Sequence, residues 1–183
     1  MKKRNDLQSA EQIPKLLKLL IHTISFFSSK TTTALLGYIF SRPLRHKPHV
    51  REKEFIISSK KETHFIPSIN KRIKTYELEG SRKKVLLVHG WSGRGSQLSS
   101  IATECNKKGF FVVSFDAPAH GGSSSYTTNV PEFVEAINFL NKTKGPFEYA
   151  IGHSFGGASI FNYCRKYRSF EKIVVIGTQS KLS

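Results

Sequence analysis

The stretch from Glu148 to Phe161, EYAIGHSFGGASIF, sets one serine between glycines where an apolar run passes into a helical pattern. Tyr149 to Ile151 reads as a buried strand and Phe155 to Tyr167 as a helix, so Ser154 stands at the turn between them. A sharp strand-to-helix turn tolerates little side chain two residues to either side, and Gly152 and Gly156 supply that room. The outcome is a hydroxyl held above a sheet at the start of a helix, where the dipole and free N–H groups favour developing negative charge. Taken by itself the same serine reads equally well as a helix cap, with the glycines relieving packing.

Outward from this turn, Val85 to Val88, Phe110 to Phe115 and Ile173 to Ile176 are also continuous apolar runs, as in strands covered on both faces. Helical stretches lie between them, at Ser96 to Lys108 and at Val130 to Lys142. Strand and helix alternating at this spacing imply βαβ units and a doubly wound, mostly parallel sheet. Before them, THFIPS and RIKTYELEG partly alternate apolar with polar residues, which predicts a half-exposed antiparallel pair. Three loops leave the carboxyl ends of the strands, HGWSGRGS from His89, DAPAHGGSSS from Asp116 and GHSFGG from Gly152. Ligands gather at that edge of a doubly wound sheet.

The chain has 183 residues and a formal net charge of +16. That excess is uneven, +12 over residues 1–84 and +4 over residues 85–183, so the surroundings of Ser154 are close to ordinary. Residues 1–50 read as a basic amphipathic helical leader and connector, and 51–183 as the globular domain. The segment IPKLLKLLIHTISFF can lie on an anionic membrane or cap the domain's own core, which leaves peripheral membrane contact through residues 13–29 open. Spanning a bilayer takes about 20 predominantly apolar residues. Here His22, Lys30 and a Ser/Thr run interrupt the apolar patches, so no transmembrane helix is expected. The segment SRPLRHKPHVREKE, with two prolines and many charges, reads as an extended connector. Nucleic-acid binding is not expected, because the aromatic residues of the basic half fall within apolar runs. Cys105 and Cys164 fall in helical patterns without metal-ligand spacing, which fits reduced, packed thiols and a cytoplasmic protein.

Taken together, VLLVHGW (85–91), FDAPAHGGS (115–123) and IGHSFGG (151–157) resemble the α/β hydrolase superfamily, in particular its esterase, lipase and serine aminopeptidase-like members. The resemblance covers roughly residues 60–180. It implies an α/β hydrolase sheet, incomplete at its C-terminal edge, with Ser154 as the nucleophile toward a small-molecule acyl substrate. It implies an oxyanion hole from the backbone N–H groups of Trp91 and Phe155. Support of the elbow and loops would come from Gly152, Gly156, His89, Gly90 and Asp116, with no cofactor and no metal.

The resemblance also implies an acid and then a histidine after the serine, yet none of the seven histidines follows Ser154. His120 with Asp116 could stand in only if both lined up behind Ser154, which two side chains four residues apart on a tight loop can hardly do. The expectation is therefore an N-terminal part of a longer hydrolase, nearly inactive alone, with an edge at Ile173 to Ile176 suited to pairing with the missing C-terminal part. Glu171, the one carboxylate side chain after Ser154, is expected at the opposite sheet edge. Two rivals stay in view. One is a non-catalytic, binding or membrane-associated protein of the same fold. The other is a dinucleotide site built on GRGSQL (93–98) and Asp116, weakened by the missing third glycine.

Overall fold

The computed structural model describes residues 28–167 and 169–177. Most of the amphipathic segment at 13–29 lies outside the described residues. The chain divides into two compact units after Phe40. In the first, helix α1 runs over Ser29–Phe40. The second, from Ser41 on, holds the sheet.

Six strands form one sheet in the order β1-β2-β4-β3-β5-β6. They are β1 Lys60–Ile66, β2 Lys71–Leu78, β3 Arg82–Val88, β4 Phe110–Asp116, β5 Tyr149–His153 and β6 Lys172–Ile176. β1 and β2 make the expected antiparallel hairpin, and β2 runs antiparallel to β4 with Lys74 opposite Asp116. β3, β4, β5 and β6 are mutually parallel, with β3 central between β4 and β5. Non-sequential neighbours of this kind need crossovers, and the three helices α3 Ser99–Lys107, α4 Val130–Thr143 and α5 Phe155–Tyr167 make them.

The apolar runs are continuous because both faces are covered. Leu86, Val88, Val113 and Phe115 point to one face and pack with Phe133, Ile137, Leu140, Ile160 and Tyr163 of α4 and α5. Val85, Leu87 and Val112 point to the other and pack with Leu98, Ala102 of α3, Tyr76 and Phe55. Helix α4 starts where the sequence allows it, with the Asn129 side chain accepting from the Glu132 N–H and Pro131 in the first turn. β6 differs from the other parallel strands. It is the outer strand among the described residues, and Val174, Val175 and Ile176 are 52%, 37% and 41% exposed.

One expectation is corrected. Residues 41–54 are not extended throughout: a 3-10 turn at Val50–Glu52 leads into helix α2, Lys53–Ser58. The His49 side chain caps the turn by accepting from the Arg51 N–H, and Phe55 drives into the core at 3% exposure. Two other bounds shift by less. The helix expected at Ser96 begins as a 3-10 turn over Gly95–Leu98 before α3, and β3 starts three residues earlier than its apolar run.

Candidate active site

Ser154 sits between β5 and α5 with φ at +50°, a left-handed backbone that a side-chain-bearing residue rarely adopts. Such strain persists only where the surroundings hold it. The Ser154 N–H donates to the Ile176 carbonyl at 2.8 Å, and its own carbonyl accepts from Gly157 and Ala158 to open the helix. Neither glycine of this turn leaves room for a side chain. A Cβ on Gly152 would stand 2.6 Å from the Gly157 Cα and 2.7 Å from Ile160 Cδ1; one on Gly156 would collide with the Val88 and His89 carbonyl oxygens.

The first loop lies directly against this elbow. A Cβ on Gly90 would be 3.2 Å from the Ser154 Cβ and 3.2 Å from the His153 carbonyl, so the backbone of residue 90 touches the serine's turn because residue 90 is glycine. The next residue, Trp91, sets its ring edge-on to Phe155 at 5.1 Å between centroids and to His120 at 5.3 Å. Phe155 opens α5, so its N–H is among the donors that have no intrahelical acceptor. No hydrogen bond among the described residues uses the Trp91 N–H. The structure thus brings Ser154, Gly90, Trp91 and Phe155 together at one rim.

His89 is buried and bridges two loops. Its Nε2 accepts from the Ala117 N–H at 3.0 Å, which leaves Nδ1 as the protonated nitrogen donating to the Gly90 carbonyl at 2.7 Å. His120 is buried in the same way, accepting from the Ser92 N–H at 3.0 Å and donating to the Pro118 carbonyl at 2.9 Å. With both ring nitrogens committed to the main chain, neither is available as a general base. Asp116 is buried between the loops. One carboxylate oxygen accepts from the Gly95 N–H and the other from the Gly122 N–H and the Tyr76 hydroxyl. Burial pushes its pKa up, against the pull of these donors.

Burial also pushes His89 down to about 4 and His120 to about 3, the neighbouring His89 ring adding to the shift of His120. Both folded values lie below the ordinary value of 6.5, so the unfolded chain binds these protons first. The stability they carry is therefore complete above pH 6.5 and is lost as pH falls through about 4 and then about 3. Urea midpoints measured at pH 7, 6 and 5 should fall, with these two rings contributing at most about 2.7 kcal/mol per pH unit. In His120→Gln that slope should drop by about half; an unchanged slope would mean that the ring is not held neutral.

Three contributors are not found by reading motifs. Glu52, fully buried, takes a two-pronged bond from Arg94, with Nε at 2.7 Å and a terminal nitrogen at 2.5 Å, and a third from the Ser96 hydroxyl at 2.7 Å. Burial raises the Glu52 pKa, but these bonds outweigh it and hold the carboxyl below its usual range. Arg45 donates to the carbonyls of Ala119, Ser123 and Ser125, and the Leu44 N–H donates to Ser92 Oγ at 3.0 Å. The loops after β3 and β4 are thereby pinned from several sides.

The dinucleotide alternative finds no support. Gly95 approaches Phe115 so closely that a Cβ would meet that residue's backbone nitrogen at 3.0 Å, and its N–H is spent on Asp116. The carboxylate needed for a ribose is thus consumed inside the protein. Glu62, His64 and Glu77 have metal-ligand spacing, but Lys144 Nζ lies 2.5 Å from Glu62 and 3.0 Å from Glu77 and already supplies the positive charge. Lys144 and then Lys60 hold Glu62 at about 2. Glu171 bonds Lys83 near the start of β3, at the edge opposite Ser154 as expected. Burial raises the thiol pKa of both Cys105 and Cys164, which disfavours either as a nucleophile.

Residues 83–182 match the family model of the alpha/beta hydrolase fold. Among solved structures, an esterase from Exiguobacterium antarcticum is 17% identical, with a TM-score of 0.58 over 64% of this chain and 45% of its own. An esterase of Pyrococcus furiosus is 20% identical over 70% of this chain and 53% of its own, with a TM-score of 0.58. An epoxide hydrolase from Vigna radiata is 13% identical over 66% and 40%, with the same TM-score. At these identities the likeness is one of fold, and it is shared by enzymes of different reaction. The chain spans about half the length of these structures or less. No curated protein matches it.

Proposed function

This chain belongs to the α/β hydrolase fold family, and on that premise we propose that Ser154 is the nucleophile of a serine hydrolase acting on an ester or related acyl bond. The observation that carries the reading is the strained backbone of Ser154, φ +50°, with the Gly90 backbone packed against its Cβ. Strain of this kind exposes a hydroxyl beside main-chain donors, an arrangement suited to acyl transfer. In the reaction the Ser154 oxygen bonds the acyl carbon, its proton passes to a base, and the leaving group departs with a proton. Water then releases the acid and restores the serine. The Trp91 and Phe155 N–H groups hold the tetrahedral oxyanion; losing one such donor typically lowers turnover by about 100- to 1,000-fold.

The proton acceptor in this reading is neither His89 nor His120 but a base external to the described sheet, on a segment that pairs with the β6 edge. Support comes from the committed nitrogens of His89 and His120 and from the exposed apolar side chains of β6. The same committed histidines favour a second reading, in which the fold serves binding and the serine is idle. A reducing cytoplasmic setting accords with the unpaired cysteines. No helix among the described residues is long and apolar enough to cross a membrane.

A fluorophosphonate probe tests the proposal, because it reports nucleophilicity without needing turnover. Slow labelling confined to the Ser154 peptide, absent in Ser154→Ala, is expected, with hydrolysis of a p-nitrophenyl ester near background. An intact fold with no label at Ser154 establishes the idle reading. Brisk hydrolysis abolished by Ser154→Ala keeps the nucleophile but overturns the external base.

A further inference from the structure

The segment Arg42–Lys53 carries five cations and one acid, and the acid is the residue taken out of the surface. Glu52 is buried against Arg94 and Ser96, whereas Arg42, Arg45, Lys47, Arg51 and Lys53 are exposed. The visible face of this segment is therefore predominantly cationic, five basic side chains against one exposed acid, Glu54, at its end. Apolar side chains stand out from the same ridge. Leu44 is 60% exposed, Val50 70% and Tyr126, whose ring lies 5.9 Å from the Arg45 guanidinium, 76%. The ridge is fixed in place by the Arg45 bonds to three carbonyls, the Leu44 bond to Ser92 and the Glu52 pair. Those anchors fall on the loops after β3 and β4, so the ridge borders the rim that holds Ser154.

We propose that Leu44, Lys47, Val50, Lys53 and Tyr126 form a contact for an anionic lipid surface, which sets the mouth of the Ser154 site against a membrane. Cations interleaved with exposed aliphatic and tyrosine side chains match an interface where headgroups are negative and the layer beneath is apolar. Nucleic acid fits less well, since Leu44 and Val50 gain nothing from phosphates and Tyr126 alone makes no stacking platform. The contact is independent of Ser154 chemistry, so Ser154→Ala should bind vesicles as the parent does.

The test is co-sedimentation of the full chain with vesicles of phosphatidylcholine containing about a third phosphatidylglycerol, at low and high salt. Binding should occur, weaken with salt, and vanish on pure phosphatidylcholine. Because each basic residue near such a surface contributes about fivefold in affinity, Lys47→Glu with Lys53→Glu should weaken binding at least about thirtyfold. In Tyr126→Trp, emission should shift to the blue on the anionic vesicles, relative to the parent with its Trp91. No vesicle binding, no shift, or unchanged binding in the double variant while Lys15→Glu with Lys18→Glu abolishes it would overturn the proposal. So would displacement of the vesicles by stoichiometric single-stranded DNA, which would assign the ridge to nucleic acid.

Discussion

Arg94→Ala should cost about 3–5 kcal/mol of folding stability, although Arg94 lies in a loop with no part in the core. Its guanidinium meets both oxygens of Glu52, a carboxylate with no exposure, and removing it leaves that carboxylate buried with only the Ser96 hydroxyl and the His49 backbone to bond it. Breaking a buried pair costs more than the pair contributes, because the remaining charge keeps its desolvation penalty. Urea unfolding of Arg94→Ala and of Glu52→Leu with Arg94→Met separates the two quantities. The apolar double variant should recover much of the loss, and an equal loss in both would show that packing alone matters. The sign of the pH dependence is fixed as well. In the parent, Glu52 is held below its ordinary value; Arg94 makes the largest lowering contribution, so without it the folded pKa of Glu52 rises above the parent's. The folded variant then takes up that proton before the folded parent does, so its deficit relative to the parent shrinks as pH falls through the raised value.

That pair also marks where reading along the chain stops. The sheet was legible because its signals are local: strands covered on both faces are apolar throughout, helices show their period, and a serine between glycines marks the turn. Val85 to Val88 and Tyr149 to Ile151 needed no knowledge of their neighbours. The Glu52–Arg94 contact spans 42 residues and joins a glutamate hidden in a basic run to an arginine among glycines. Nothing local in VREKE separates the buried acid, Glu52, from Glu54, which is exposed. The same masking concealed α2, where four charged residues precede Phe55 and Ile56, the two apolar residues that seat it. His89 and His120 were legible as loop residues by resemblance, but their tautomers follow only from partners on other loops: Ala117 for His89 and Ser92 for His120.

The turn around Ser154 carries the sharpest local demand, and Gly156→Ala should expose it by costing about 3 kcal/mol or more. The added methyl would collide with the carbonyl oxygens of Val88 and His89, which are main-chain atoms at the end of the central strand and cannot rotate away. Relief requires the start of α5 to withdraw from β3. That movement carries the Phe155 N–H away from the Gly90–Trp91 backbone and loosens the left-handed Ser154. Gly122→Ala is the matched comparison, because its methyl would meet the aliphatic stem of Lys74 at 3.1 Å, the flexible part of a side chain. Urea midpoints of the two variants should therefore diverge, with Gly122→Ala within about 1 kcal/mol of the parent. Amide exchange gives the second readout: protection of the Ser154 N–H, which is bonded to the Ile176 carbonyl, should fall in Gly156→Ala and persist in Gly122→Ala. Equal midpoints would mean that the helix start and the strand end have slack between them, and a serine turn with that slack could not keep its hydroxyl registered against fixed main-chain donors.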